Sequence, residues 1–128
     1  MLPFVPVPGT VLICDYDAAG FRAPLMTKRR PVVVLQVRVR AHQPATLLVV
    51  PLSTTSPDIL RRWHYRIPKE RIPYLSAASD VYVKGDMIGP VPTTALYRIR
   101  TDKGWACPVL PQETLAAIRS AVMHAIGT

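Results

Sequence analysis

Fourteen prolines in 128 residues set the grain of this chain. Proline has no N–H for a strand ladder and clashes inside a helix, so the prolines are expected mainly at the edges of regular elements. The segments they border are short, apolar and β-branched. Thr10–Tyr16, Val32–Val39 and Thr46–Leu52 each read as a strand. Trp63–Ile67 alternates and reads as a fourth. Asp80–Ile88 reads as a strand with a kink or bulge at Gly85. Tyr97–Arg100 is a last short strand or a turn, and Asp58–Arg62 a single helical turn. Only Gln112–Ile126 carries the helical period, through Leu115, Ile118, Val122 and Ile126. Pro111 suits the first turn of that helix, Glu113 its positive end, and Gly127 its C-cap. Few residues, Ala41 to Pro44, separate the second and third strands, so these pair as an antiparallel hairpin. The expectation is one domain over residues 1–128: mostly β with α, an antiparallel barrel-like sheet closed by a C-terminal helix.

Hydrophobic residues make up 49% of the chain, enough to bury a core. Lys and Arg number 16 against 8 Asp and Glu, a formal charge of +8. Such a surface attracts polyanions, nucleic acid ahead of an anionic membrane. The first residues lack the charged start of a secretory signal, and no apolar run is long enough to span a bilayer. A cytoplasmic chain with no membrane association is expected. Cys14 and Cys107 are isolated, and His42, His64 and His124 lack metal-ligand spacing. No metal and no cofactor are expected.

Two segments carry candidate chemistry. Lys28-Arg29-Arg30-Pro31 puts cations at the mouth of a buried strand, and the planar fork of arginine suits phosphate. Taken alone, this is a solvated charge run capping a strand. Leu52-Ser53-Thr54-Thr55 opens a buried strand into hydroxyls that can hold a phosphate oxygen or a ribose hydroxyl. Taken alone, this is a turn, because Ser and Thr bond their local backbone readily. Lys84 and Asp86 lie two apart, either as a functional pair or as a surface ion pair. In Trp63-His64-Tyr65-Arg66, the two aromatics are expected to face the core. His64 then faces out as an RNA contact or auxiliary acid.

The order of these pieces resembles the PemK/MazF family of toxin endoribonucleases. The matching segments are Pro8-Gly9-Thr10-Val11, Gly20, Arg30-Pro31-Val32-Val33, Val50-Pro51-Leu52-Ser53-Thr54 and Val83-Lys84-Gly85-Asp86-Met87-Ile88. The C-terminal helix also falls where the family has one. The resemblance implies an SH3-like barrel that forms a homodimer. It implies a toxin of a type II toxin–antitoxin system that cuts single-stranded RNA, including mRNA, without metal and is silenced by a cognate acidic antitoxin. Arg30 matches the family's catalytic arginine. Ser53 falls where many members have the catalytic threonine, with Thr54 beside it. Lys84 and Asp86 match a basic–acidic pair found in some branches. Lys28, Arg29, Arg22 and His64 are the expected RNA contacts. Gly20-Phe21-Arg22 departs from the family, many members of which carry an acid after that glycine.

RNA carries its own nucleophile, the 2′-OH. Cleavage then needs a base at that hydroxyl, positive charge on the phosphate and an acid for the leaving 5′ oxygen. Guanidinium is a poor base, so Arg30 is assigned to the phosphorane, Ser53 or Thr54 to a nonbridging oxygen, and Asp86 to the base. Two other readings remain open: a non-catalytic nucleic-acid-binding barrel, and a gyrase-poisoning toxin of the CcdB type. The latter class uses a tryptophan near its end, whereas this chain ends His124-Ala-Ile-Gly-Thr128.

Overall fold

The computed structural model describes residues 2–21, 28–39, 41, 43, 45–75 and 79–127. Nine strands and one long helix occupy them. The strands are β1 (Val11–Asp15), β2 (Arg29–Arg38), β3 (Thr46–Ser53), β4 (His64–Ile67) and β5 (Val81–Lys84). Then follow β6 (Gly89–Pro92), β7 (Leu96–Tyr97), β8 (Ile99–Thr101) and β9 (Gly104–Ala106), and α1 spans Gln112–Ala125. Every strand pairing among the described residues is antiparallel. The main sheet runs β4-β5-β3-β2-β1-β7, and β8 and β9 form a separate hairpin.

The fold class is the expected one, a mostly antiparallel sheet with a single C-terminal helix. The sheet is barrel-like without closing, since β4 and β7 end the path. Its curvature starts at β3, whose one edge is shared by two strands. Thr46–Val49 pair with β6, and Leu52–Ser53 pair with β5. A register shift between Val34 and Gln36 bends β2 against β3. Arg119 of α1 donates from Nη2 to the Leu35 carbonyl at that bend, at 2.7 Å.

Alternation along the strands builds a core on each face. Val33, Leu35, Val50, Leu52, Val81 and Val83 pack against Leu115, Ile118 and Val122 of α1. Val32, Val34, Leu47 and Val49 pack with Leu12, Cys14 and Tyr16 on the other side. β2 and β3 are therefore buried on both faces, which explains their unbroken apolar runs.

Several sequence expectations change. The second strand starts before Val32, because Arg29 and Arg30 already belong to β2, opposite Asp15 and Cys14. Pro31 sits third in the strand, where the ladder to β3 has not yet begun; that ladder starts at Val32. Asp58–Arg62 forms no helical turn. Ile59 and Leu60 are exposed, and so short a segment cannot nucleate a helix without a buried face. Ile126 falls just beyond α1 and is exposed rather than part of its buried stripe. No helix among the described residues is long and apolar enough to cross a membrane.

Candidate active site

Cross-strand partners share a face of a sheet, so register decides which side chains meet. Cys14 of β1 lies opposite Arg30 of β2. The β2–β3 ladder runs to Val32 opposite Pro51, and two residues further brings Arg30 level with Ser53. Ser53 in turn lies opposite Tyr82 of β5, and Tyr82 opposite Arg66 of β4. One residue row therefore crosses five strands and carries Arg30, Ser53, Tyr82 and Arg66 on one face. Where this row reaches the ends of β2 and β3, two hollows open. A cavity of about 510 Å³ is walled by Ile13, Leu52, Leu75 and Val81, with Arg29, Arg30, Ser53, Thr54 and Ser79 on its polar side. A second, of about 250 Å³, is lined by Arg30, Ser53, Thr55, Lys84 and Met87. Arg30 and Ser53 border both and form the ridge between them.

The Arg30 Nε is buried and meets no hydrogen-bond partner among the described residues. A buried cationic donor left without an acceptor is costly, and an anion seated in either hollow removes that cost. The Ser53 Oγ accepts a hydrogen bond from the Thr55 N–H at 3.1 Å. The turn reading of this serine therefore holds. It closes a local turn, and that turn leaves its O–H free to donate into the hollows.

Residues 8–126 match the family of PemK-like, MazF-like toxins of type II toxin–antitoxin systems. The chain belongs to this family. It is 36% identical over 116 residues to the Escherichia coli K12 protein YifN, covering 88% of this chain and 74% of that protein. Among solved structures it is similar to MazF from Deinococcus radiodurans. That likeness has a TM-score of 0.65, covers 98% of this chain and 99% of that one, and carries 14% identity. It is also similar to a mycobacterial endoribonuclease solved in complex with its cognate antitoxin. Here the TM-score is 0.61, with 96% of each chain covered and 20% identity. These likenesses show a MazF fold.

The other residues expected at a PemK/MazF site fall in three groups. Lys84 lines the smaller hollow with Arg30, where its ammonium adds a second cation. It lies opposite His64 across β4 and β5. His64 is half-buried on the face away from Tyr65, which packs on the helix-side core, as alternation requires. Its Nδ1 accepts a hydrogen bond from the Arg61 N–H at 2.9 Å. Desolvation lowers the His64 pKa, with Lys84 and Arg61 acting the same way and Asp86 opposing them. The neutral ring thus keeps its proton on Nε2.

Asp86 is exposed and lines neither hollow. Strand alternation stops at Lys84, because Gly85–Met87 form a 3-10 turn, so Lys84 and Asp86 do not share a strand face. Asp86 instead sits within electrostatic reach of His64. Arg29 borders the larger hollow but is engaged elsewhere. Its Nε lies 3.4 Å from the Asp15 carboxylate, and its guanidinium lies 4.5 Å from the Tyr97 ring centre. Lys28 is exposed beside it. Arg22 lies outside the described residues.

Sequence reading missed Leu75, Ser79 and Tyr82. Tyr82 follows from register once β3 is paired with β5. Nothing local marks Leu75 and Ser79, which reach the hollow through tertiary contact alone. Burial pushes the Cys14 thiol up to about 12 and the Tyr16 phenol higher still, so neither ionises under the site at neutral pH.

Proposed function

We propose that this chain is the toxin of a type II toxin–antitoxin pair and an endoribonuclease that cuts single-stranded RNA across the Arg30–Ser53 ridge. The observation that carries this reading is the buried, unpartnered Arg30 Nε between two hollows, beside the Ser53 hydroxyl and the Lys84 ammonium. A phosphodiester on that ridge meets a guanidinium, an ammonium and a hydroxyl at once. The net charge of +8 favours its approach.

In the proposed reaction the ribose 2′ oxygen attacks the adjacent phosphorus while a base takes its proton. The bond from phosphorus to the 5′ oxygen breaks, and that oxygen takes a proton from an acid. The products are a 2′,3′-cyclic phosphate and a 5′-hydroxyl. Arg30 stabilises the dianionic phosphorane, Ser53 donates to a nonbridging oxygen, and Lys84 neutralises the second. For the proton transfers, Asp86 is the candidate base, and His64 can only donate, through Nε2–H, while the Arg61 N–H occupies its Nδ1. Both flank Lys84, His64 across the strands and Asp86 two residues along, and neither lines a hollow. The step as written uses only this chain's side chains. Among the described residues no three His, Cys, Asp or Glu gather as a metal site. Dimer formation and neutralisation by an acidic antitoxin belong to the same proposal, and a cytoplasmic setting goes with them.

The test is cleavage of an unstructured RNA with EDTA present. Wild-type protein should yield cyclic-phosphate ends, and Arg30→Ala, with an unchanged circular-dichroism spectrum, should lose about 10²–10³-fold in rate. A folded Arg30→Ala protein that cuts at the wild-type rate refutes the assignment. Tight RNA binding by the wild type without any cleavage points instead to a non-catalytic barrel.

A further inference from the structure

Three arginines near the second half of the sheet face aromatic rings. Arg29 lies 4.5 Å from the Tyr97 ring centre, Arg98 5.4 Å from Phe4, and Arg100 5.0 Å from Trp105. Trp105 is 60% exposed and Phe4 40% exposed, although each ring is large and apolar. Both Arg98 and Arg100 are exposed, and neither makes an ion pair among the described residues.

The hairpin geometry explains the arrangement. Thr101 opposite Gly104 leaves a two-residue loop, Asp102-Lys103. Gly104 has φ +113, which a glycine accepts. The Thr101 Oγ1 donates to the Gly104 carbonyl at 2.8 Å and accepts from the Lys103 N–H at 3.2 Å, which fixes the tip. Ile99 anchors the hairpin in the core. Arg100 is then paired directly with Trp105 across the strands and held outward with it.

A rigid, exposed indole with guanidinium groups alongside is poorly suited to solvent and well suited to unpaired bases on a phosphate chain. Every base offers a face to stack, and each phosphate meets a cation. The patch also joins the proposed site. Tyr97 pairs with Ile13, a wall of the larger hollow, and Arg29 touches both Tyr97 and that hollow. The chain then passes through Arg98 into β8. The local charge is positive, with Arg98, Arg100 and Lys103 against Asp102 alone over residues 98–105.

We propose that the β8–β9 hairpin, with Phe4, is a second contact surface for single-stranded RNA. It stacks bases of the same strand on Trp105 outside the cleavage hollows. This rests on the ribonuclease reading for the identity of the strand.

The test measures binding of 2′-O-methyl oligouridine, which cannot be cut, in two lengths: about 4 nucleotides, which fills the hollows, and about 12, which reaches beyond them. Trp105→Ala should weaken the long oligomer about fivefold or more and leave the short one unchanged. Trp105→Phe, which keeps an aromatic face, should restore most of the loss. Trp105 fluorescence, read in a Trp63→Phe background, should be quenched by the long oligomer alone. Equal affinities of Trp105→Ala and wild type for the long oligomer overturn the proposal and leave the ridge reading intact. Loss of short-oligomer binding in Arg30→Ala tests that reading separately. A change in the mass of the protein on sedimentation with Trp105→Ala, at unchanged RNA affinity, also overturns it and makes the patch a contact between copies of this chain.

Discussion

Gly85 ties the smaller hollow to the helix, and replacing it by alanine tests that tie. Its backbone needs no special φ, so the constraint is space. An added Cβ would lie 2.6 Å from the Trp63 carbonyl oxygen and 3.2 Å from the carbonyl carbon and oxygen of Ala121 in α1. All three are backbone atoms, and none can swing away as a side-chain tip would. The Gly85 N–H also donates to that same Trp63 carbonyl at 2.8 Å, so moving apart breaks a hydrogen bond. Overpacking costs about 1–3 kcal/mol and the lost bond about 1 kcal/mol, for a total of about 2–4 kcal/mol. At this chain length the melting temperature should drop by roughly 6–15 °C. The assay is urea unfolding by tryptophan fluorescence, with a thermal melt beside it. A second effect separates this account from general destabilisation. The 3-10 turn holds Lys84 and Met87 at the hollow, so the folded fraction of Gly85→Ala should also cut RNA more slowly than wild type. A Gly85→Ala protein within about 0.5 kcal/mol of wild type, the usual range for surface changes, would refute the claim that the turn is wedged between β4 and α1.

Three further outcomes follow from the same geometry. Ser53→Ala removes the hydroxyl on the ridge and the turn bond to the Thr55 N–H. Cleavage should fall about 10–100-fold while stability falls by about 1 kcal/mol or less, read by initial rates and urea melts. Ile118→Ala opens a void in the helix-side core and should cost about 2–5 kcal/mol in urea unfolding with the active-site residues untouched. His64 is held neutral by desolvation and its bond from Arg61, so its folded pKa lies below the unfolded value. Its contribution to stability is therefore complete above the ordinary histidine pKa and is lost as pH falls through the lowered one. His64→Gln should flatten that acid limb in pH-dependent melts.

The elements were legible because their signals are local. Proline spacing and β-branched runs marked β1, β2 and β3, and the 3.6-residue period marked α1. β9 was not legible, although Thr101-Asp102-Lys103-Gly104 is a hairpin turn sequence. Three residues on each side are too few to show alternation, and Trp105 points outward where a core aromatic is expected. The site was half legible for a related reason. Arg30 and Ser53 announced themselves at the ends of strong strands, and the hairpin that joins those strands brings them level. Asp86 was assigned by counting alternate residues along β5, a rule that fails where Gly85 turns the chain to pack on Ala121. The tight approach to the helix ends the strand one residue before Asp86. It moves the carboxylate out of the hollow and towards His64. The same glycine therefore decides where the Asp86 carboxylate sits, through a contact 36 residues distant that no pattern along β5 could display.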